Sequence, residues 1–186
     1  PNGWSPEIGP RGEDGVSHDQ EIVSALFANT IQAARTLGVD KAFAERLSSE
    51  LARMHQPGIG KMGNLMEWMI DRDPVTDHRH TSHLFAVYPG NQINMEETPM
   101  LARAARRCLE LRKTSGNSLR AFAWAWRSCL WARLRDGERA HDMIEGLLCN
   151  NTLDNLLTTQ NLPLQMDANY GVAAAMLETL VQSQSG

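Results

Sequence analysis

The sequence predicts an all-α chain. Apolar residues recur at helical spacing in six stretches: 18–37, 40–54, 98–111, 119–134, 138–148 and 172–181. No stretch alternates apolar and polar residues over a useful strand length. Helix punctuation is strong: Gly38 ends one run, Thr98-Pro99 opens another, and Asp136-Gly137 separates the fourth from the fifth. Successive helix pairs, with long polar loops on one side, fit an α/α toroid or part of one. A helical bundle or solenoid shares this pattern, and no fixed repeat period marks an array.

Each element has its own signal. Residues 1–17 are loop, dominated by Pro, Gly, Ser and Asp. A loop this long in a compact domain is often functional. The first helix carries a stripe of Ile22, Val23, Leu26, Phe27, Ile31 and Ala34, with Ser17 or Asp19 to cap it. The second turns Phe43, Leu47, Leu51 and Met54 inward, and the short Gly38-Val39 link makes the two a hairpin. Residues 65–70 read as a short apolar helical turn holding Glu67 and Trp68. Residues 84–88 read as a short helix ended by Pro89-Gly90. The helix after Thr98-Pro99 turns Ala104, Ala105, Cys108 and Leu109 inward. Residues 119–134 are apolar almost all round, so most faces of that helix are expected to be buried. Ala140, Met143, Ile144 and Leu147 form the inner face of the next. Val172, Met176, Leu177, Leu180 and Val181 are expected to bury the last one.

Composition narrows the function classes. The 186 residues suffice for one domain with a sizeable core. A net charge of −4 gives no basic footprint for nucleic acid and no polybasic membrane patch. No apolar run reaches bilayer-spanning length. The odd set of Cys108, Cys129 and Cys149 argues against a disulfide framework, and all three read as small buried apolar residues. The start at Pro1-Asn2-Gly3-Trp4, without Met or a signal-peptide pattern, suggests a processed chain or a piece of a longer one.

Three polar stretches carry chemistry. Asp167 lies in a Gly- and Pro-punctuated entry to the last helix. It has two uses, as a cap for the first turn or as a carboxylate aimed into a cleft. Glu7 follows Pro6 in the first loop, where a stiff backbone can hold an acid or simply expose one. His78-Arg79-His80-Thr81-Ser82-His83 gathers three of the six histidines. Histidines one residue apart point to different helix faces, and no nearby carboxylate or cysteine completes a zinc pattern, so no metal is expected. A polar cluster is the more natural use, since Arg79, His80 and His83 suit sugar hydroxyls or a carboxylate. Glu7 and Asp167, in separate loops, can serve as acid and base in glycoside hydrolysis. Trp4 and Trp68 are flat apolar surfaces that can stack on sugar rings or fill a core; Trp124, Trp126 and Trp131 look like core.

Four motifs in this order resemble glycoside hydrolase family 95. They are Trp4-Ser5-Pro6-Glu7; His78-Arg79-His80-Thr81-Ser82-His83-Leu84 with Tyr88-Pro89-Gly90-Asn91-Gln92-Ile93; Leu130-Trp131-Ala132-Arg133-Leu134-Arg135-Asp136-Gly137; and Gln165-Met166-Asp167-Ala168-Asn169-Tyr170-Gly171. The family holds inverting α-L-fucosidases acting on 1,2-linked fucose and some α-L-galactosidases. The resemblance implies an (α/α)6 barrel with its active site at one end, and assigns residues 1–186 to roughly the C-terminal half of that catalytic domain. It implies Glu7 as general acid, Asp167 as general base, and Arg79 with His80 as the pair that binds fucose. Gln165 and Asn161 fall in the sugar pocket, and no cofactor is implied.

The departures are specific. The first half of the barrel, the asparagine pair that positions the water, and the C-terminal β domain are absent from the chain. Asn161 stands where the family usually carries His, and Leu119-Arg120-Ala121-Phe122 where it usually carries Gly-Thr-Gly-Trp. The expected partner is a fucosylated oligosaccharide or glycan, with no nucleic acid or membrane. The expected compartment is secreted or periplasmic, as for most of the family. A half toroid leaves apolar faces uncovered, so the chain alone is expected to be inactive and to self-associate. The alternatives are an α-L-galactosidase of the same family and a non-catalytic helical module that binds glycan or protein.

Overall fold

The computed structural model describes residues 3–6, 8–9, 11–114, 120–160 and 164–182. Six helices appear among them: α1 (Ser17–Leu37), α2 (Lys41–Leu51), α3 (Pro99–Leu111), α4 (Ala121–Arg133), α5 (Gly137–Asn151) and α6 (Met166–Leu180). A 3-10 turn spans Ser82–Leu84. The described residues form no strand, only isolated bridges such as Gly3 with Glu13 and Thr159 with Leu164. The all-α expectation holds. Among the described residues no helix is long and apolar enough to cross a membrane.

The helices pack as two groups, α1 on α2 and α4 with α5 and α6. α4 is the centre, packing against α5 on one flank and α6 on another. Small residues allow the close approach. A Cβ on Gly171 would lie 2.9 Å from the Ala125 Cβ, and one on Gly146 would lie 2.2 Å from the Trp124 ring. The main core joins α4 and α3 to the 84–93 segment through Leu84, Val87, Ile93, Ala105, Leu109 and Leu130. α1 and α2 pack on each other beyond that segment. Gly38, at φ 69°, returns its N–H to the Arg35 carbonyl and closes α1.

Several sequence expectations are corrected. Residues 65–70 are not helical; Leu65 bridges Ile59, and its N–H reaches the Ala104 carbonyl. Residues 84–88 close as turns after the 3-10 segment rather than as an α-helix. Thr98 and Asp19 do not cap their helices with their side chains; Asp136 does cap α5, accepting from the Arg139 N–H at 3.1 Å. Cys149 is exposed. α6 starts at Met166, so Asp167 sits inside its first turn rather than ahead of it. The apolar stripes of α1 and α6 are only partly covered. Ile22, Leu26 and Phe43 are exposed on the first hairpin, and Met176, Leu177, Leu180 and Val181 at the other end. Periodicity marks an apolar face, but the packing partner decides its burial.

Glu21 was hidden inside the α1 stripe, and it is one of the most buried residues of that helix. Its Oε2 accepts the Ala86 N–H at 2.8 Å, tying α1 to the 84–93 segment. Burial pushes this carboxyl up to about 8, against the pull of the Ala86 N–H and of His83. The folded state therefore holds a proton that the unfolded state releases above its ordinary value of 4.5. Stability from this site is lost as pH rises from 4.5 to about 8. Glu21→Gln keeps the acceptor and removes the titration. Urea unfolding of this variant should show a loss between these pH values smaller than wild type by about 3 kcal/mol. Identical pH slopes would contradict the protonated assignment.

Candidate active site

The loops that bear the polar motifs converge on a buried ionic cluster. Ser5 Oγ donates to Glu67 Oε1. His83 Nδ1 lies 3.5 Å and Arg112 Nη2 3.9 Å from Glu67 Oε2. All four residues are buried. Burial alone would raise the Glu67 carboxyl, but His83, Ser5 and Arg112 outweigh it and hold Glu67 down to about 2. For His83, burial pulls down, but Glu67 and Cys108 together outweigh it, so the imidazole rises to about 10. The pair is charged at neutral pH. Backbone bonds complete the junction: the Ser17 N–H donates to the Glu67 carbonyl at 3.2 Å, and Ser17 Oγ to the Met66 carbonyl at 2.5 Å.

Arg127 fixes the next loop. It is the charge inside the apolar helix α4, and it is 2% exposed. Its guanidinium donates to the Lys113 and His78 carbonyls, each at 2.9 Å. The His80 N–H in turn donates to His78 Nδ1 at 3.1 Å. Burial, with Arg112 adding to it, lowers Arg127 to about 9, which leaves it protonated at neutral pH. Residues 78–80 are thus held from below by α4 and from within by their own backbone.

Above this support lies a cleft of about 300 Å³ lined by Arg79, His80, Arg120, Phe122, Ala123, Trp126, Gln160 and Gln165. Gln165 Oε1 accepts the Phe122 N–H at 3.1 Å. This bond occupies an orphan donor at the start of α4 and leaves the Gln165 amide nitrogen as a donor for the cleft. Trp126 donates its ring N–H to the Tyr88 carbonyl at 2.9 Å, and its ring lies 5.7 Å from that of Phe122. One side of the cleft is therefore aromatic and the other hydrogen-bonding, a mixture suited to a sugar. Asn169 pins the loop before α6, accepting from the Thr158 N–H and hydroxyl at 2.9 Å and donating to the Leu156 carbonyl.

Arg79, His80 and Gln165, distant in sequence, come together here. Asp167 is exposed in the first turn of α6, two residues beyond Gln165, and does not line the cleft. It is the acidic residue of the first turn of α6, where the helix dipole favours negative charge. Glu7 and Asn161 lie outside the described residues. Trp4 is partly exposed with the Arg11 guanidinium 4.5 Å over its ring. Trp68 is 3% exposed and packs with Ile8 and Val16, so it belongs to the core and offers no platform for sugar. His83 likewise serves the buried cluster rather than the cleft. Trp126, read from the sequence as core, lines the cleft; its i,i+4 spacing from Phe122 at the start of α4 was the available signal. Arg120 and Phe122 belong to the stretch that departs from the family pattern; Gln160 was not anticipated, and Arg127 was legible only as a lone charge in an apolar run.

The glycosyl hydrolase family 95 catalytic domain matches residues 1–180. This chain belongs to that family. It is 34% identical over 177 residues to alpha-L-fucosidase 2 of Arabidopsis thaliana, covering 89% of this chain and 21% of the relative. It is 30% identical over 190 residues to probable alpha-fucosidase A of Aspergillus niger, covering 96% of this chain and 24% of the relative. The counterpart from Aspergillus oryzae is 29% identical, with 95% and 27% covered. The chain thus spans about a fifth to a quarter of the length of these relatives.

Removing the Glu67 carboxylate should test the junction. Its stabilisation is present above 4.5 and lost as pH falls towards 2; that of His83 is present below 6.5 and lost as pH rises towards 10. Glu67→Gln should destabilise by about 3 kcal/mol. The gap from wild type should be widest between pH 4.5 and 6.5. A gap independent of pH would show that the pair is not ionic.

Proposed function

We propose that this chain supplies a large part of the active site of an inverting α-L-fucosidase acting on 1,2-linked fucose. The observation that carries this is the cleft itself. In a family 95 chain, Arg79, His80 and Gln165 meet from distant stretches at the start of the helix that bears Asp167. The relatives' names supply the sugar class. In this reading Arg79, His80 and Gln165 donate to the fucose hydroxyls, and the Phe122–Trp126 wall covers the apolar edge of the ring.

The chemistry is a single displacement. Asp167, in the first turn of α6, takes a proton from water as its oxygen attacks the anomeric carbon. The bond from that carbon to the glycosidic oxygen breaks, and Glu7 gives its proton to the departing oxygen. Attack opposite the leaving group inverts the anomeric centre. Residues 1–186 belong, in this reading, to one catalytic domain. The uncovered faces of α1 and α6 are where its remaining helices pack, and the isolated chain is inactive and self-associates.

In the longest natural form of the protein, Glu7→Gln and Asp167→Asn should each lower kcat on a 1,2-linked fucoside by about 1000-fold or more, with unchanged unfolding midpoints. Turnover within tenfold of wild type in either variant would remove that residue from the mechanism. Light scattering of the 186-residue chain alone should show mass above the monomer value. A monodisperse, active monomer would contradict the incomplete-site reading.

A further inference from the structure

One helix lines the cleft and also grips a loop that lines it. Phe122, Ala123 and Trp126 of α4 belong to the cleft wall. Arg127 follows at once in the sequence, does not line the cleft, and is almost fully buried. Its Nη1 donates to the Lys113 carbonyl and its Nη2 to the His78 carbonyl. The Lys113 N–H donates to the Thr76 carbonyl at 2.8 Å. These bonds close a ring, from Arg127 to Lys113, on to Thr76, and back along the chain through His78 to Arg127. The His78 ring accepts the His80 N–H, and the two imidazoles lie 5.2 Å apart. Residues 76–80 have no helix or strand of their own. The ring of bonds ties them to α4 and to the chain just after α3.

The residue type suits this task. A guanidinium is a planar fork with its end nitrogens at fixed spacing, so it can hold two carbonyls at once. An ammonium is a point donor on a flexible stem and cannot keep both in one geometry. Burying a cation is unfavourable, and an apolar side chain would fill the same space with less penalty. What the charge adds at this position is a fixed relation between α4 and His78. The His78 carbonyl lies in the rigid peptide unit that leads into Arg79, so a shift there carries Arg79 and His80 with it.

We propose that Arg127 is a positioning residue of the sugar site. It touches no substrate. Its fork sets Arg79 and His80 against the Phe122–Trp126 wall and the Gln165 amide, so that their donors meet the sugar in one arrangement. This inference rests on the sugar-binding reading of the cleft. Donors held in place beforehand favour the transition state most, because it tolerates the least displacement. Loosening them lowers kcat more than it raises KM.

The test uses the longest natural form of the protein and the variant Arg127→Lys, which keeps the charge and loses the fork. On a 1,2-linked fucoside kcat/KM should fall by about 100-fold, most of it in kcat. In a His80→Ala background the same substitution should lower it by about threefold or less, because Arg127 acts through a segment already impaired. Equal factors in both backgrounds, or a loss of less than about threefold in the first, would overturn the proposal. Amide hydrogen exchange separates this inference from the choice of substrate. Arg127→Lys should speed exchange of the Lys113 and His80 amides by about tenfold or more and leave α5 as in wild type. If the wild type releases no fucose, the fucosidase reading fails and exchange decides alone: faster exchange at these two amides keeps the positioning role, and unchanged exchange removes it. Arg127→Gln replaces the lysine variant should that fail to fold. Should neither fold, the wild-type His80 amide decides, since exchange at the rate of an unprotected loop would contradict a held segment.

Discussion

Burying a carboxylate is unfavourable unless its charge and lone pairs are met, and Glu67 meets both conditions with residues from three other parts of the chain. Ser5 comes from the first loop, His83 from the 3-10 turn, Arg112 from the end of α3, and Glu67 itself from an irregular segment. The residues between these parts can vary in conformation, but the parts must meet for the charge to be tolerated. The geometry of the loops follows from this junction more than from any local preference. It explains why residues 65–70, apolar and helix-like in pattern, are not a helix. Their backbone and side chains are committed to Ala104, Ser17 and the buried pair.

The cleft is built on that junction and on α4. Apolar on almost every side, α4 can be surrounded, and its alanines and the opposing Gly146 and Gly171 let neighbours come close. Its single buried charge reaches out to the 78–80 backbone, and its first N–H groups reach Gln165. One rigid helix thereby sets the relative position of two motifs that are more than 80 residues apart in the sequence. Rigid support of this kind is what the proposed sugar site requires, because positioning errors of about 1 Å cost rate steeply.

Much of this was legible beforehand. Helix number, order and approximate bounds follow from apolar spacing and from punctuation such as Gly38 and Pro99. Arg79, His80 and Gln165 were named as site residues from their motifs, and they share a cleft. Other features were not legible, for physical reasons. A tryptophan has the same sequence signature in a core as on a wall, so Trp68 and Trp126 were exchanged in role. Helical periodicity could not reveal that Glu21 would be buried within an apolar stripe, since its burial rests on a distant backbone N–H. Nor could it show that Leu177 and Leu180 would be exposed, because that depends on the neighbours of α6. The burial of Arg112 and Arg127 required three dimensions to be seen.

In the proposed function, Asp167 directs water to the face of the sugar opposite the leaving group. The most direct measurement is proton NMR of the anomeric signals during the first minutes of hydrolysis of a 1,2-fucosylated oligosaccharide by the longest natural form. β-fucose should be the first product, appearing before mutarotation, and should be lost in Asp167→Asn. Early α-fucose would mean retention through a covalent intermediate, and would contradict the roles assigned to Glu7 and Asp167.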